Sequence, residues 1–148
     1  MAVYDLGFYH TNNTPIDVGN PLAFGRVDPG MISDVLRFHI WNDKDGLVGA
    51  DLAPTPRLFA VSDPDNVGVM FNGTALNGFK SMLEARSCRA VGVAADQHTE
   101  WKPIGPNELL VMGDIPASAM REIEIRLRVP ADSGPMTPSK SWQLRVTA

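Results

Sequence analysis

Nine consecutive residues, Arg121 to Val129 (REIEIRLRV), alternate charged and apolar side chains without a break. Ile123, Ile125, Leu127 and Val129 occupy every second position, with Glu122, Glu124, Arg126 and Arg128 between them. A period of two is the spacing of a β-strand, whose successive side chains leave the backbone on opposite faces. One face is therefore expected to be buried and the charged face solvated. Pro130 has no N–H to donate and is expected to end the strand. A half-buried strand needs neighbours in its own sheet and a second layer over its apolar face.

The rest of the chain supplies strands of the same kind. KSWQLRVT at 140–147 alternates again, with Trp142, Leu144 and Val146 inward and Gln143, Arg145 and Thr147 outward. The segment between, PADSGPMTPS, is a loop by composition. These two strands are expected to form an antiparallel C-terminal pair. Upstream, DVLRFHIW (34–41) places Leu36, Phe38 and Ile40 on one face. RLFAV (57–61), VGVMF (67–71) and ELLVM (108–112, closed by Ile115-Pro116) are further short apolar runs. Residues 79–91 fit either period; without a helix cap at either end they read better as a strand, with Leu83, Ala85 and Ser87 on one face. Thirteen glycines and twelve prolines in 148 residues cut the chain into pieces too short for a helical bundle. With 44% hydrophobic and 20% charged residues the chain is globular, not disordered. The fold class expected is all-β, an antiparallel β-sandwich.

Residues 1–30 differ in texture from residues 31–148, and we divide the chain there into an N-terminal strand or arm and a sandwich domain. Tyr4, Leu6, Phe8 and Tyr9 mark a strand-like start, after which Pro, Gly and Asn dominate to Gly30. This extended N-terminal segment either closes the edge of a sheet or packs on a neighbouring subunit. In the second case Tyr4, Phe8 and Tyr9 are the candidate assembly contacts, because aromatic anchors carry much of the energy of protein interfaces.

Charge and cysteine content exclude several classes. The net charge is −4, which disfavours nucleic acid and anionic membrane as partners. The acidic excess lies in the first 80 residues, where nine Asp face five Lys or Arg. Those Asp residues fall in VDPG, NDKDG and SDPDN, where a short carboxylate bonds the local backbone and favours turns. One cysteine, Cys88, permits no internal disulfide and no cysteine-cluster metal site. There is no apolar run of about 18 residues, and the opening MAVYDLGFYHTNN does not read as an export signal, so synthesis in a reducing cytoplasm is expected.

Motifs that imitate chemistry fail on spacing. Gly73 to Ser81 (GTALNGFKS) has one residue too many before its lysine for a phosphate-binding loop, so the lysine and the backbone N–H groups do not converge. Asp43, Asp45 and Gly46 suggest a calcium loop, but its first and twelfth positions are Trp41 and Leu52. His10, His39 and His98 have no metal-ligand spacing, and no G-x-S-x-G is present. His39 is expected to be a wet surface residue. Cys88 lies between Arg86 and Arg89, which would activate a thiol only if all three shared a pocket; a buried apolar cysteine is the simpler account. No catalytic residues, metal or cofactor are expected. Trp142 reads as core, whereas Trp41 and Trp101 flank loops and are candidate glycan contacts.

The runs WKPIGP (101–106), IPASAMREIEIRLRVPADS (115–133) and SWQLRV (141–146), with HIWNDKDG (39–46) and LEARS (83–87) upstream, resemble small immunoglobulin-like β-sandwich structural proteins of tailed bacteriophages. The resemblance covers roughly residues 33–146, leaving the first thirty outside it, and rests on structural motifs. It implies an immunoglobulin-like fold and a non-enzymatic virion component, made in the host cytoplasm. Such a protein would serve as a capsid decoration (cement) protein or as a tail, neck or baseplate appendage. Its partners would be other virion proteins, with the chain oligomeric in the particle. The competing expectation is a carbohydrate-binding sandwich module used in host adsorption, with Trp41 and Trp101 stacking on sugar.

Overall fold

The computed structural model describes residues 2–17, 19, 21–62, 81–89, 97–106, 108–129, 131 and 142–148, with the backbone alone for Ser62, Trp142 and Gln143. Its strands, in chain order, are β1 (Leu6–His10), β2 (Leu36–Asn42), β3 (Arg57–Ser62), β4 (Leu83–Ser87), β5 (Lys102–Pro103), β6 (Leu110–Val111), β7 (Ala119–Leu127) and β8 (Trp142–Thr147). They form two antiparallel sheets, one ordered β1-β2-β7-β4-β5 and the other β6-β3-β8. The described part of the chain is all-β, two packed layers consistent with a β-sandwich. The runs VGVMF and Gly73 to Lys80 lie outside the described residues.

The alternating pattern explains which side chains meet. Phe38 and Ile40 of β2, Ile123, Ile125 and Leu127 of β7, and Leu83 and Ala85 of β4 are fully buried on the inner face of the larger sheet. Leu58 and Ala60 of β3, with Leu110 and Met112, close over them from the smaller sheet. Residues 83–87 form a strand with Leu83, Ala85 and Ser87 all buried, as their spacing requires. On β8, Leu144 and Val146 pack against the core.

Three features depart from the strand-by-strand reading. β7 and β8 do not pair: β7 lies between β2 and β4, while β8 pairs with β3 in the opposite sheet. Two alternating strands joined by a loop satisfy the sequence equally well as a hairpin or as a crossing between layers, and here the chain crosses. The charged face of β7 is not simply solvated, because Glu124 is buried. His39 is likewise largely covered, with 12% of its side chain exposed.

At the N-terminus, β1 pairs with β2 along its whole length, from Leu6↔Asn42 to His10↔Phe38. Tyr4, Leu6 and Phe8 pack against the core, and the Phe8 ring meets that of Phe38 edge-on at 6.0 Å between centroids. Tyr9, directly opposite His39, faces the other way. A return of the chain follows: His10 N–H donates to Thr14 O and Ile16 N–H to Phe8 O. The segment through Ile16 therefore borders the chain's own five-stranded sheet.

Asp acts as turn chemistry where the sequence places it. The Asp43 carboxylate accepts the backbone N–H groups of Val48 (3.1 Å) and Ala50 (3.0 Å), and Asp17 accepts that of Gly19 (2.9 Å). Asn42 ends β2 by donating to Asp51 O and Ile115 O while accepting the Asp5 N–H.

Candidate functional site

The outer face of the five-stranded sheet gathers most of the chemistry-bearing side chains. Strand alternation and register put Arg37, His39 and Trp41 of β2 there, with Met120, Glu122, Glu124 and Arg126 of β7 and Glu84 and Arg86 of β4. Arg37 faces Glu124 across β2–β7, and Arg86 faces the same Glu124 across β4–β7. Glu124 thus sits on the central strand with a cation on either side.

The bonds follow the register. Arg37 Nε donates to Glu124 Oε2 at 2.8 Å, and Arg86 donates to Oε1 through Nε (2.7 Å) and Nη2 (2.6 Å). Only 2% of the Glu124 side chain is exposed. Burial pushes its pKa up, but the hydrogen bonds from Arg37 and Arg86, helped by the charges around them, outweigh burial and hold it below the ordinary carboxylate value. Arg37 is correspondingly raised by its hydrogen bond to Glu124. A second carboxylate, Glu84, accepts from Arg126 Nε at 2.9 Å and lies 3.4 Å from Arg128 Nε. The guanidinium groups of Arg126 and Arg86 also lie over the Trp101 ring, 4.1 and 4.6 Å from its centroid.

Beside this lattice runs a row of His39, Glu122, Cys88 and His98. His39 is opposite Glu122, the Cys88 N–H donates to Glu122 O, and Cys88 bridges to His98. His98 has 1% of its side chain exposed, with Nε2 3.5 Å from both Glu122 Oε2 and Glu124 Oε1. His39 Nε2 is 3.8 Å from Glu122 Oε1. Neither ring nitrogen of His98 makes a hydrogen bond, nor do His39 Nδ1 and Trp41 Nε1. Among the described residues, no group of three or more His, Cys, Asp and Glu is placed to hold a metal ion.

The sequence candidates distribute as follows. Trp41 and Trp101 share this outer face but differ in setting: Trp41 is approached by Lys44 Nζ at 5.9 Å from its centroid, whereas Trp101 is stacked by two arginines. Tyr9 borders Trp41's strand, and its ring also lies under Lys44 Nζ, at 5.4 Å. Tyr4 and Phe8 are directed to the core. Cys88 is buried, Arg89 is exposed, and Arg86 is committed to Glu124, so the three do not form one pocket. Sequence reasoning missed Glu124, His98 and the buried Arg121, which donates to the backbone oxygens of Cys88 and Asp114. Glu124 is a charged residue at an outward strand position, which carries no mark of burial until the neighbouring strands are known, whereas Arg121 shares the inward parity of Ile123 and lies opposite the buried Ile40.

Family models, curated proteins and solved structures were each compared with the chain, and none matches.

Proposed function

We propose that this chain is a non-enzymatic structural subunit of a tailed-bacteriophage particle, built on an immunoglobulin-like sandwich and acting through protein–protein contacts. The observation that carries the reading is the presentation of large apolar side chains to solvent from hydrogen-bonded backbone, Leu47, Val48, Met31 and Ile32 among them. Exposed apolar clusters on an ordered scaffold are what assembling subunits offer one another. The charged groups of the outer face support the same reading, because Glu84 and Glu124 are neutralised by arginines instead of being held free for proton transfer. The two-layer antiparallel architecture agrees with the resemblance to phage sandwich proteins at the level of fold class. Capsid decoration and tail, neck or baseplate attachment are the roles in view. The test is protein analysis and antibody-gold labelling of purified particles. Stoichiometric copies with label at a fixed place on the particle are expected; absence from washed particles overturns the reading.

One observation favours a second reading, a carbohydrate-binding module for host adsorption: Trp41 and Trp101 emerge on the same face of one sheet. A glycan array is the test. Binding lost on Trp41→Ala or Trp101→Ala would support it, and an array without signal would remove it.

A further inference from the structure

The two ends of the sandwich are unlike. Where β2 finishes, the loop after it lies against the start of the chain: Asp51 N–H donates to Val3 O at 2.8 Å, and the Asp51 carboxylate accepts the Val3 N–H at 2.9 Å. Leu47, 87% exposed, stands at the tip of this loop, with Val48, Leu52 and Val3 exposed around it. Among the described residues the exposed charges there are acidic, namely Asp5, Asp45 and Asp51; Lys44, folded back over the Tyr9 and Trp41 rings, lies 3.5 Å from Asp45 and offsets it, which leaves Asp5 and Asp51 without a cation. At the opposite end, where β2 begins and β7 runs out, Ser33 N–H donates to Leu127 O and Val129 N–H to Met31 O. Met31, 58% exposed, Ile32 and Val35 form a second apolar cluster. Among the described residues its rim is basic: Arg37 and Arg128, each more than half exposed, pair with Glu124 and Glu84, but each of those carboxylates also holds a second arginine (Arg86, Arg126), so positive charge is left over there. The nearby acid is Asp34, and the Arg26–Asp28 pair neutralises itself at 2.9 Å.

We propose that these ends are the two halves of one head-to-tail contact between copies of this chain. The acid-rimmed tip at Leu47 docks on the arginine-rimmed cluster of Met31, Ile32 and Val35 of the next copy. Each end is apolar at its centre, and the rims are opposite in charge, so the complement of each is carried by the same molecule. A contact between two different patches is heterologous and builds rings or open arrays. Both ends are already held in shape: Asp43 fixes the tip by accepting the Val48 and Ala50 N–H groups, and Ser33 Oγ accepts the Leu127 N–H at the other end. Little conformational entropy is lost on docking a prepared surface. This contact rests on the structural-subunit reading and names one of its partners.

Sedimentation velocity on the full chain, from micromolar to about millimolar concentration, tests it at low salt and at about 0.5 M salt. Concentration-dependent association, weaker at high salt, is expected. Leu47→Asp and Met31→Asp should each weaken association by at least about tenfold. Mixed one to one, the two variants should form a dimer and stop there, since one retains only the receiving end and the other only the tip. The changed side chains are exposed, and circular dichroism melts unchanged from the parent confirm that each variant folds; Leu47→Ser and Met31→Ser replace them otherwise. A chain monomeric throughout, association surviving both substitutions, or a mixture that stays monomeric overturns the contact. None of these touches the virion reading, which stands or falls on the presence of the chain in particles.

Discussion

Glu124 is held by arginines from two different strands, and its ionisation is therefore tied to the folded state. Its pKa is lowered in the fold, so it contributes stability above its unfolded value of about 4.3, and that contribution is lost as pH falls through the folded value. Glu124→Gln should cost about 1.5–3 kcal/mol at neutral pH, the range for hydrogen bonds to a charged group. The difference between the two proteins should close as the pH is lowered, in urea melts from pH 7 to pH 3; a gap constant with pH would show that the carboxylate is not held as described. The apolar partners of this residue were legible in advance. Ile123, Ile125 and Leu127 are buried as their alternation requires. Glu124 itself was not, because its partners Arg37 and Arg86 lie 87 and 38 residues away and no local pattern brings them together.

The loop after β2 shows how a single carboxylate organises an element. Asp43 adopts a left-handed backbone (φ 50°), as do Gly46 and Gly49, and its side chain closes the loop onto Val48 and Ala50. Hydrogen bonds from the Ala50 and Val48 N–H groups hold its pKa below the ordinary value. Asp43→Ala should leave the strands intact while the amide hydrogens of Val48 and Ala50 exchange faster by at least tenfold, which residue-resolved hydrogen exchange reads directly. The turn was legible because NDKDG is dense in Asp and Gly; the apolar tip it carries was not, since turn chemistry fixes the backbone and says nothing of what the turn presents. The same limit governs β7 and β8. Their alternation identified two strands, but a period of two is blind to which sheet a strand joins.

At the scale of the molecule, the sheets are built from distant segments. β2 pairs with β7, and β3 pairs with β8, each across most of the chain. Loops of that length must close before the pairings stabilise anything, so refolding should take milliseconds to seconds, and not the microseconds of small helical proteins. Stopped-flow far-ultraviolet circular dichroism measures this; a microsecond phase recovering all the strand signal would contradict the topology. The two-layer architecture was legible from short alternating strands and frequent Gly and Pro, whereas the strand order required the fold. Trp101, finally, lies beside β5 with its ring under guanidinium groups from β4 and β7. Strands β4, β5 and β7 thus meet at one fluorophore. With Trp41 and Trp142 replaced by Phe, its emission should shift when any of them detaches, which gives the protein an internal optical reporter for the integrity of its larger sheet without an added label.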